Sequence, residues 1–177
     1  MKQLQSLEEL ETFYQIYDPW NYEINPDDQK RKDIILSEIP QRQYQNVLDI
    51  GCGHGFITRS LPGKKLTGID ISLNAIDHAK QFENEKIKFI QSSIFDIPKK
   101  LNDQFDLIII TGVLYSQYIG DSSNLLYKVI DKILEEDGIL LCCHINEWYK
   151  VRFPYLMLEC YFFQYREYIQ RLEIYVK

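Results

Sequence analysis

An open, doubly wound α/β sheet is the fold this sequence predicts, and three observations predict it. Short apolar runs bounded by turn residues alternate with helical stretches from about residue 46 onward. One run, Ile108-Ile109-Ile110, is apolar at consecutive positions, as a central parallel strand buried on both faces must be. A glycine-rich turn follows the first run. The expectation is a Rossmann-like sheet of seven mostly parallel strands, with helices on both faces and a C-terminal antiparallel hairpin at one edge. With 177 residues, 45% of them hydrophobic, the chain suffices for one domain spanning 1–177.

Ser6-Leu7-Glu8-Glu9 is a capping box and opens a helix predicted to run to about Tyr17, before Asp18-Pro19. Asn25-Pro26-Asp27-Asp28 supplies a cap, a first-turn proline and acids at the positive end of a second helix, which stops before Pro40. Residues 1–40 thus form a helical segment ahead of the sheet. Val47-Leu48-Asp49-Ile50 is the first strand. Residues 51–55 turn, and 56–61 are expected to be helical up to Pro62-Gly63. Strands are predicted at 66–70, 86–91, 105–110 and 138–143, with a Ser72-capped helix to 80 and another over 125–134. A short aromatic helix is expected after Trp148, and 162–177 as a hairpin turning at Tyr168-Ile169-Gln170-Arg171.

The formal charge of −6 excludes a dense basic footprint for phosphate backbones and argues against a nucleic-acid partner. No stretch reaches the roughly 18 apolar residues of a membrane helix. Met1-Lys2-Gln3-Leu4 runs into acidic residues rather than an apolar leader. The four cysteines lack zinc-ligand spacing, and no other His and carboxylate cluster suggests a metal. A reduced, cytoplasmic protein is expected.

The chemistry is written in Asp49-Ile50-Gly51-Cys52-Gly53-His54-Gly55. Its spacing is Gly-x-Gly-x-Gly, not the Gly-x-Gly-x-x-Gly of dinucleotide sites. Asp49 before the loop would repel a pyrophosphate but attract S-adenosylmethionine (SAM), which carries an ammonium and a sulfonium. Asp70 ends the second strand roughly 20 residues on, where a carboxylate accepts ribose hydroxyls. At a strand end beside a cleft, Asp70 is expected to play no part in the fold itself.

At these residues, over about 47–145, the sequence resembles class I SAM-dependent methyltransferases. The resemblance implies that Asp49, Gly51 and Gly53 line the methionine end, with Cys52 filling the loop. It implies Asp70 on the ribose, Ile71 against adenine, and the 91–96 loop packed on adenine. The position of Ser93, often acidic in that family, here offers only a hydroxyl, beside the amide and apolar wall of Ile94. Asp18-Pro19-Trp20-Asn21-Tyr22 with Gln29-Lys30-Arg31 is similar to the nodulation-protein-S-like branch, small enzymes that N-methylate an amino sugar. Trp20 would lie over SAM as a lid and Arg31 would pair with its carboxylate. The alternatives are a Trp20 that packs the first helix onto the core and a solvated Arg31.

Methyl transfer is an in-line displacement, accelerated mainly by proximity and alignment. Thr111 ends the fourth strand beside the expected methyl, and Tyr115 or Tyr118 would orient an acceptor or simply pack. His144, following the fifth strand, is a candidate general base or a structural hydrogen bonder. His54 is expected to meet solvent or the helix start, and His78 the surface. The predicted activity is methyl transfer from SAM to an amine or hydroxyl of a small acceptor such as a sugar or sugar nucleotide, by a monomer or homodimer. The competing readings are a catalytically silent SAM-binding subunit and a protein methyltransferase.

Overall fold

The computed structural model describes residues 6–177; the Met1–Leu4 start lies outside the described residues. The capping box forms as the sequence dictates. The Ser6 hydroxyl accepts from the Glu9 amide and the Glu9 carboxylate from the Ser6 amide, opening α1 (Leu7–Phe13). α1 ends four residues earlier than expected. Tyr14 leaves the helical path, and the turns that follow aim the Tyr17 ring at His54 and His78, contacts a further helical turn would forfeit. α2 (Pro26–Glu38) starts on Asn25, whose side chain accepts from the Asp27 amide, and ends as Ile39 turns extended before Pro40.

Seven strands form one sheet: β1 (Asn46–Ile50), β2 (Lys65–Asp70), β3 (Ile87–Gln91), β4 (Phe105–Thr111), β5 (Leu134–Ile145), β6 (Leu156–Tyr165) and β7 (Tyr168–Val176). Their order is β3-β2-β1-β4-β5-β7-β6. β1 to β5 pair in parallel, whereas β7 is antiparallel to both β5 and β6. One face of the central strands (Leu48, Ile108, Ile110) packs on α6 (Ser123–Ile133) through Leu126 and Ile130. The other face (Val47, Leu107, Ile109) meets Ile35 of α2 and Ile76 of α3 (Leu73–Ala79). Short helices α4 (Ile97–Lys100) and α5 (Ser116–Ile119) follow β3 and β4. Strand order reverses between β1 and β4, which opens a crevice at their carboxyl ends.

Three local expectations are corrected. The helix expected over 56–61 is only a 3₁₀ turn at Thr58–Ser60. Six residues before Pro62 are too few to offset helix nucleation, and the Thr58 hydroxyl is drawn to Asp49. No helix follows Trp148: beyond Pro154 the aromatic run becomes the edge strand β6, exposed along most of its length. The hairpin turns at Arg166-Glu167, three residues before the expected turn, so the expected turn lies inside β7. Arg166 adopts φ +50° there, held by contacts to α2 that no local turn signal encodes.

Candidate active site

β1 delivers the chain into a turn at the mouth of the crevice. The amides of Gly51 and Cys52 both donate to the Ile69 carbonyl, folding the turn over β2. Gly51 and Gly53 have φ of +76° and +55°. A Cβ at Gly51 would fall 2.1 Å from Val113 Cγ2, and one at Gly53 2.8 Å from the Tyr14 hydroxyl. Only glycine satisfies both demands.

Two buried carboxylates flank this turn. Asp49 accepts from the Thr58 hydroxyl at 2.6 Å through one oxygen, while its Oδ1 is buried with no partner. Burial, reinforced by Asp70, pushes its pKa up to about 6 against the opposing Thr58 bond. Asp70 accepts from the amides of Gly53 and Ser72, each at 3.0 Å. Burial raises its pKa, and those two bonds make it a brace of the glycine turn. The expectation that Asp70 plays no part in the fold is therefore corrected.

The crevice is a cleft of about 430 Å³. Beyond Asp70 it is bordered by Ile71, Ser93 and Ile94. The Ser93 side chain accepts from the Phe95 amide, capping the short turn Ile94–Asp96. Thr111 borders it at the end of β4, next to Gly112, where a Cβ would meet nothing within 4 Å. Cys52 also borders it, and burial pushes its thiol pKa well up, which keeps it inert.

The N-terminal segment forms the roof. Trp20 borders the cleft, half-buried, and packs at the end of α1 with its ring 5.2 Å from Tyr14 and 5.7 Å from Tyr22. Arg31 is buried rather than solvated. Its guanidinium lies between the rings of Tyr22 and Tyr165 at 5.1 and 5.2 Å, with Nη2 3.4 Å from Asp28 and Nε unpartnered. A buried unpartnered acceptor on Asp49 and a donor on Arg31, both at the cleft, fit the ammonium and carboxylate of an amino-acid moiety.

Of the candidates for chemistry, Tyr115 and Tyr118 border the cleft with rings 6.1 Å apart. The Tyr115 hydroxyl accepts from the Ile145 amide at 2.9 Å, and burial raises its pKa, so it stays protonated. His144 is not brought to the cleft. It is fully buried, its Nε2 accepts from the Leu114 amide at 3.1 Å, and its ring stacks on Tyr149 at 4.4 Å. Burial and the neighbouring Arg171 push its pKa down to about 3. A histidine that spends Nε2 on a backbone amide has no lone pair left for substrate, so the general-base expectation is corrected to the structural alternative. Of the other two histidines, the expectation for His54 is corrected as well, whereas His78 is half-buried on α3. His54 is buried against Glu23, and a His78 ring nitrogen lies 3.0 Å from the Tyr14 carbonyl.

Sequence reasoning missed several parts of the wall. Tyr14, Tyr22, Trp148, Tyr165, Arg166 and Tyr168 also border the cleft. Arg166 donates to Asp28 at 2.6 Å and to the Trp20 carbonyl at 3.0 Å, and the Tyr165 hydroxyl donates to Asp28 at 2.8 Å. A contact spanning 138 positions leaves no local signal. Glu11 was missed too: its carboxylate accepts from the amides of Leu73 and Asn74 and the Ser72 hydroxyl, fastening α1 to the start of α3. The signal available for it was an exposed helix start in need of an anion.

A family model described as a methyltransferase domain matches residues 42–166. Among curated proteins, a malonyl-[acyl-carrier protein] O-methyltransferase of Acetivibrio thermocellus is 28% identical over 110 residues, 59% of this chain and 37% of its own. A mitochondrial ubiquinone biosynthesis O-methyltransferase of Candida albicans is 29% identical over 133 residues, 70% of this chain and 38% of its own. The chain thus spans less than half the length of these relatives. Among solved structures, the N-methyltransferase NodS from Bradyrhizobium japonicum WM9, in complex with S-adenosyl-L-homocysteine (SAH), superposes with a TM-score of 0.80. The match covers 97% of both chains at 23% identity, a likeness of fold.

Proposed function

This chain belongs to the methyltransferase-domain family, whose methyl donor is SAM, and on that premise we propose that it methylates an amine or hydroxyl of a small acceptor, a sugar or sugar nucleotide among the candidates. The observation that carries the reading is the pair of buried, unpartnered atoms at the cleft, Asp49 Oδ1 and Arg31 Nε, which match the charged ends of the methionine moiety. The bound donor supplies a methyl group already activated by the sulfonium. The protein's own part is to hold and align. In this reading Gly51 and Gly53 let the ligand approach the backbone, Asp70 offers its remaining lone pairs to the ribose, and Ile71, Ser93 and Ile94 flank adenine. Thr111 and Gly112 lie on the acceptor side.

Tyr118, Trp148 and Tyr168 form an aromatic wall on that side. Tyr115, its hydroxyl fixed by the Ile145 amide, orients the acceptor rather than taking its proton. With His144 committed elsewhere, the proton leaves to water, which suits an acceptor already neutral on arrival. The curated relatives carry O-methyltransferase names and the solved neighbour an N-methyltransferase name, so both acceptor atoms stay within the proposal.

Residues 1–40 are read as the lid of one domain spanning 1–177, working as monomer or homodimer without nucleic acid or membrane. Among the described residues no helix is long and apolar enough to cross a membrane. Four free thiols fit a reduced cytoplasmic setting.

The test is radiolabelled methyl transfer from SAM to pools of sugars, amines, phenols and thiols, beside calorimetry with SAH. Label in a small acceptor is the expected outcome. Tight SAH binding with no transfer to any pool would favour the silent subunit, and label in protein would favour the protein methyltransferase.

A further inference from the structure

His54 sits inside the glycine turn, yet methyl transfer makes no use of it. It lies between Gly53 and Gly55, whose φ values of +55° and +86° make two soft joints around a single peptide segment. Its side chain is almost wholly buried but lies outside the cleft lining. Its Nε2 lies 3.2 Å from Glu23 Oε1. The same oxygen accepts from Arg59 Nη2 and from the Tyr17 hydroxyl. Arg59 also donates through Nε to the Gly55 carbonyl at 3.0 Å. On the roof side, the Glu23 amide donates to Asp18 at 2.9 Å, and the Tyr17 ring lies 4.7 Å from that of His54. One carboxylate from the segment between α1 and α2 therefore gathers donors from the glycine turn and from the 3₁₀ turn behind it.

We propose that Glu23 and His54 are positioning residues that clasp the roof to the glycine turn, so that cofactor retention and closure of the roof rise and fall together. The inference rests on the reading that SAM occupies this cleft. A carboxylate only accepts, so His54 acts as a donor through Nε2–H, anchoring a segment that its two glycine neighbours leave free to swing. Gly53, one residue before it, must keep its amide on Asp70 and leave the ligand its space. The clasp fixes that backbone from behind, without touching the ligand.

The test pairs calorimetry of SAH binding with hydrogen exchange over residues 14–24, with and without SAH, on wild type, His54→Leu and His54→Gln. Leu keeps the bulk and removes the donor; Gln keeps an N–H near the same place. His54→Leu should weaken SAH by roughly tenfold to a hundredfold, the worth of a hydrogen bond to a charged group. It should also abolish the protection that SAH confers on residues 14–24, while His54→Gln stays within about threefold of wild type. Should His54→Leu fail to fold, Glu23→Leu, on the more exposed partner, removes that bond together with those from Arg59 and Tyr17 and should weaken SAH at least as much. Adding His54→Leu to Glu23→Leu should cost little more, because loss of the Glu23 carboxylate has already removed the acceptor of the His54 bond. Variants that melt earlier but bind SAH as wild type does, with undiminished protection, would overturn the clasp. A wild type that does not bind SAH would instead overturn the reading of the cleft on which it rests.

Discussion

Asp49 and His144 show how one physical effect, burial, has opposite consequences for an acid and a base. Burial holds Asp49 at about 6, above the ordinary carboxylate value, so the native state favours its neutral form. Any stability from this is complete below about pH 4 and lost as the pH rises through 6. An ammonium beside Oδ1 reverses the preference, and binding must then expel the proton. SAH affinity should accordingly be flat above pH 7 and fall by up to about tenfold per unit below pH 6. Asp49→Asn should bind more weakly and lose that slope; calorimetry between pH 5 and 8 decides it, and a slope surviving in Asn would assign the proton elsewhere. His144 runs the other way. Held at about 3 against an ordinary 6.5, it contributes stability that is lost as the pH falls between those values. His144→Gln should lower the melting temperature and leave SAH affinity unchanged. The place of Asp49 at the cleft was legible because the glycine turn follows it directly in sequence. His144 was not, because Leu114, thirty positions away, claims its nitrogen.

At the scale of elements, legibility followed how local the stabilising contacts are. The capping box of α1, the Asn25 cap of α2 and the apolar run of β4 are decided within a few residues, and they formed as read. The hairpin was misread because its turn is chosen by Asp28 on α2 rather than by turn chemistry. Asp28 is fully buried and serves Arg31, Tyr165 and Arg166 at once. Asp28→Ala would leave two guanidinium groups and a hydroxyl without their acceptor, one of those cations buried. The expected cost is about 3–5 kcal/mol, as for other broken buried pairs. Urea denaturation should show it as a lower midpoint. A loss below about 1 kcal/mol would mean that water satisfies these groups and that the hairpin tip is not anchored here.

Over the whole molecule, the cleft joins surfaces from both ends of the described chain to the switch point of the sheet. A ligand that binds this assembled state stabilises it by mass action, by about 2.7 kcal/mol at a hundredfold excess over its dissociation constant. For a chain of this size that corresponds to a rise of roughly 5–10 °C in melting temperature. SAH should produce such a rise and NAD none, since the glycine spacing and Asp49 disfavour a pyrophosphate. An equal rise with NAD in thermal scanning would remove SAM from the account. The switch point itself was legible, because strand–helix alternation prescribes it. The closure of the cleft was not, since it depends on pairing across most of the chain.

The place of β7 between β5 and β6 has a consequence for biosynthesis. β6 leaves the ribosome first, but among the described residues its partner strand is β7, which must slot in between β6 and a β5 already in place. Throughout that interval the five parallel strands have what they need to assemble, glycine turn and Asp70 included. Asp28, made long before, still lacks Arg166. The nascent chain therefore gains the residues around the glycine turn before the β6–β7 turn that borders the same cleft. On the proposed reading of the cleft, the wall around the donor is complete only once β7 has paired with both β5 and β6.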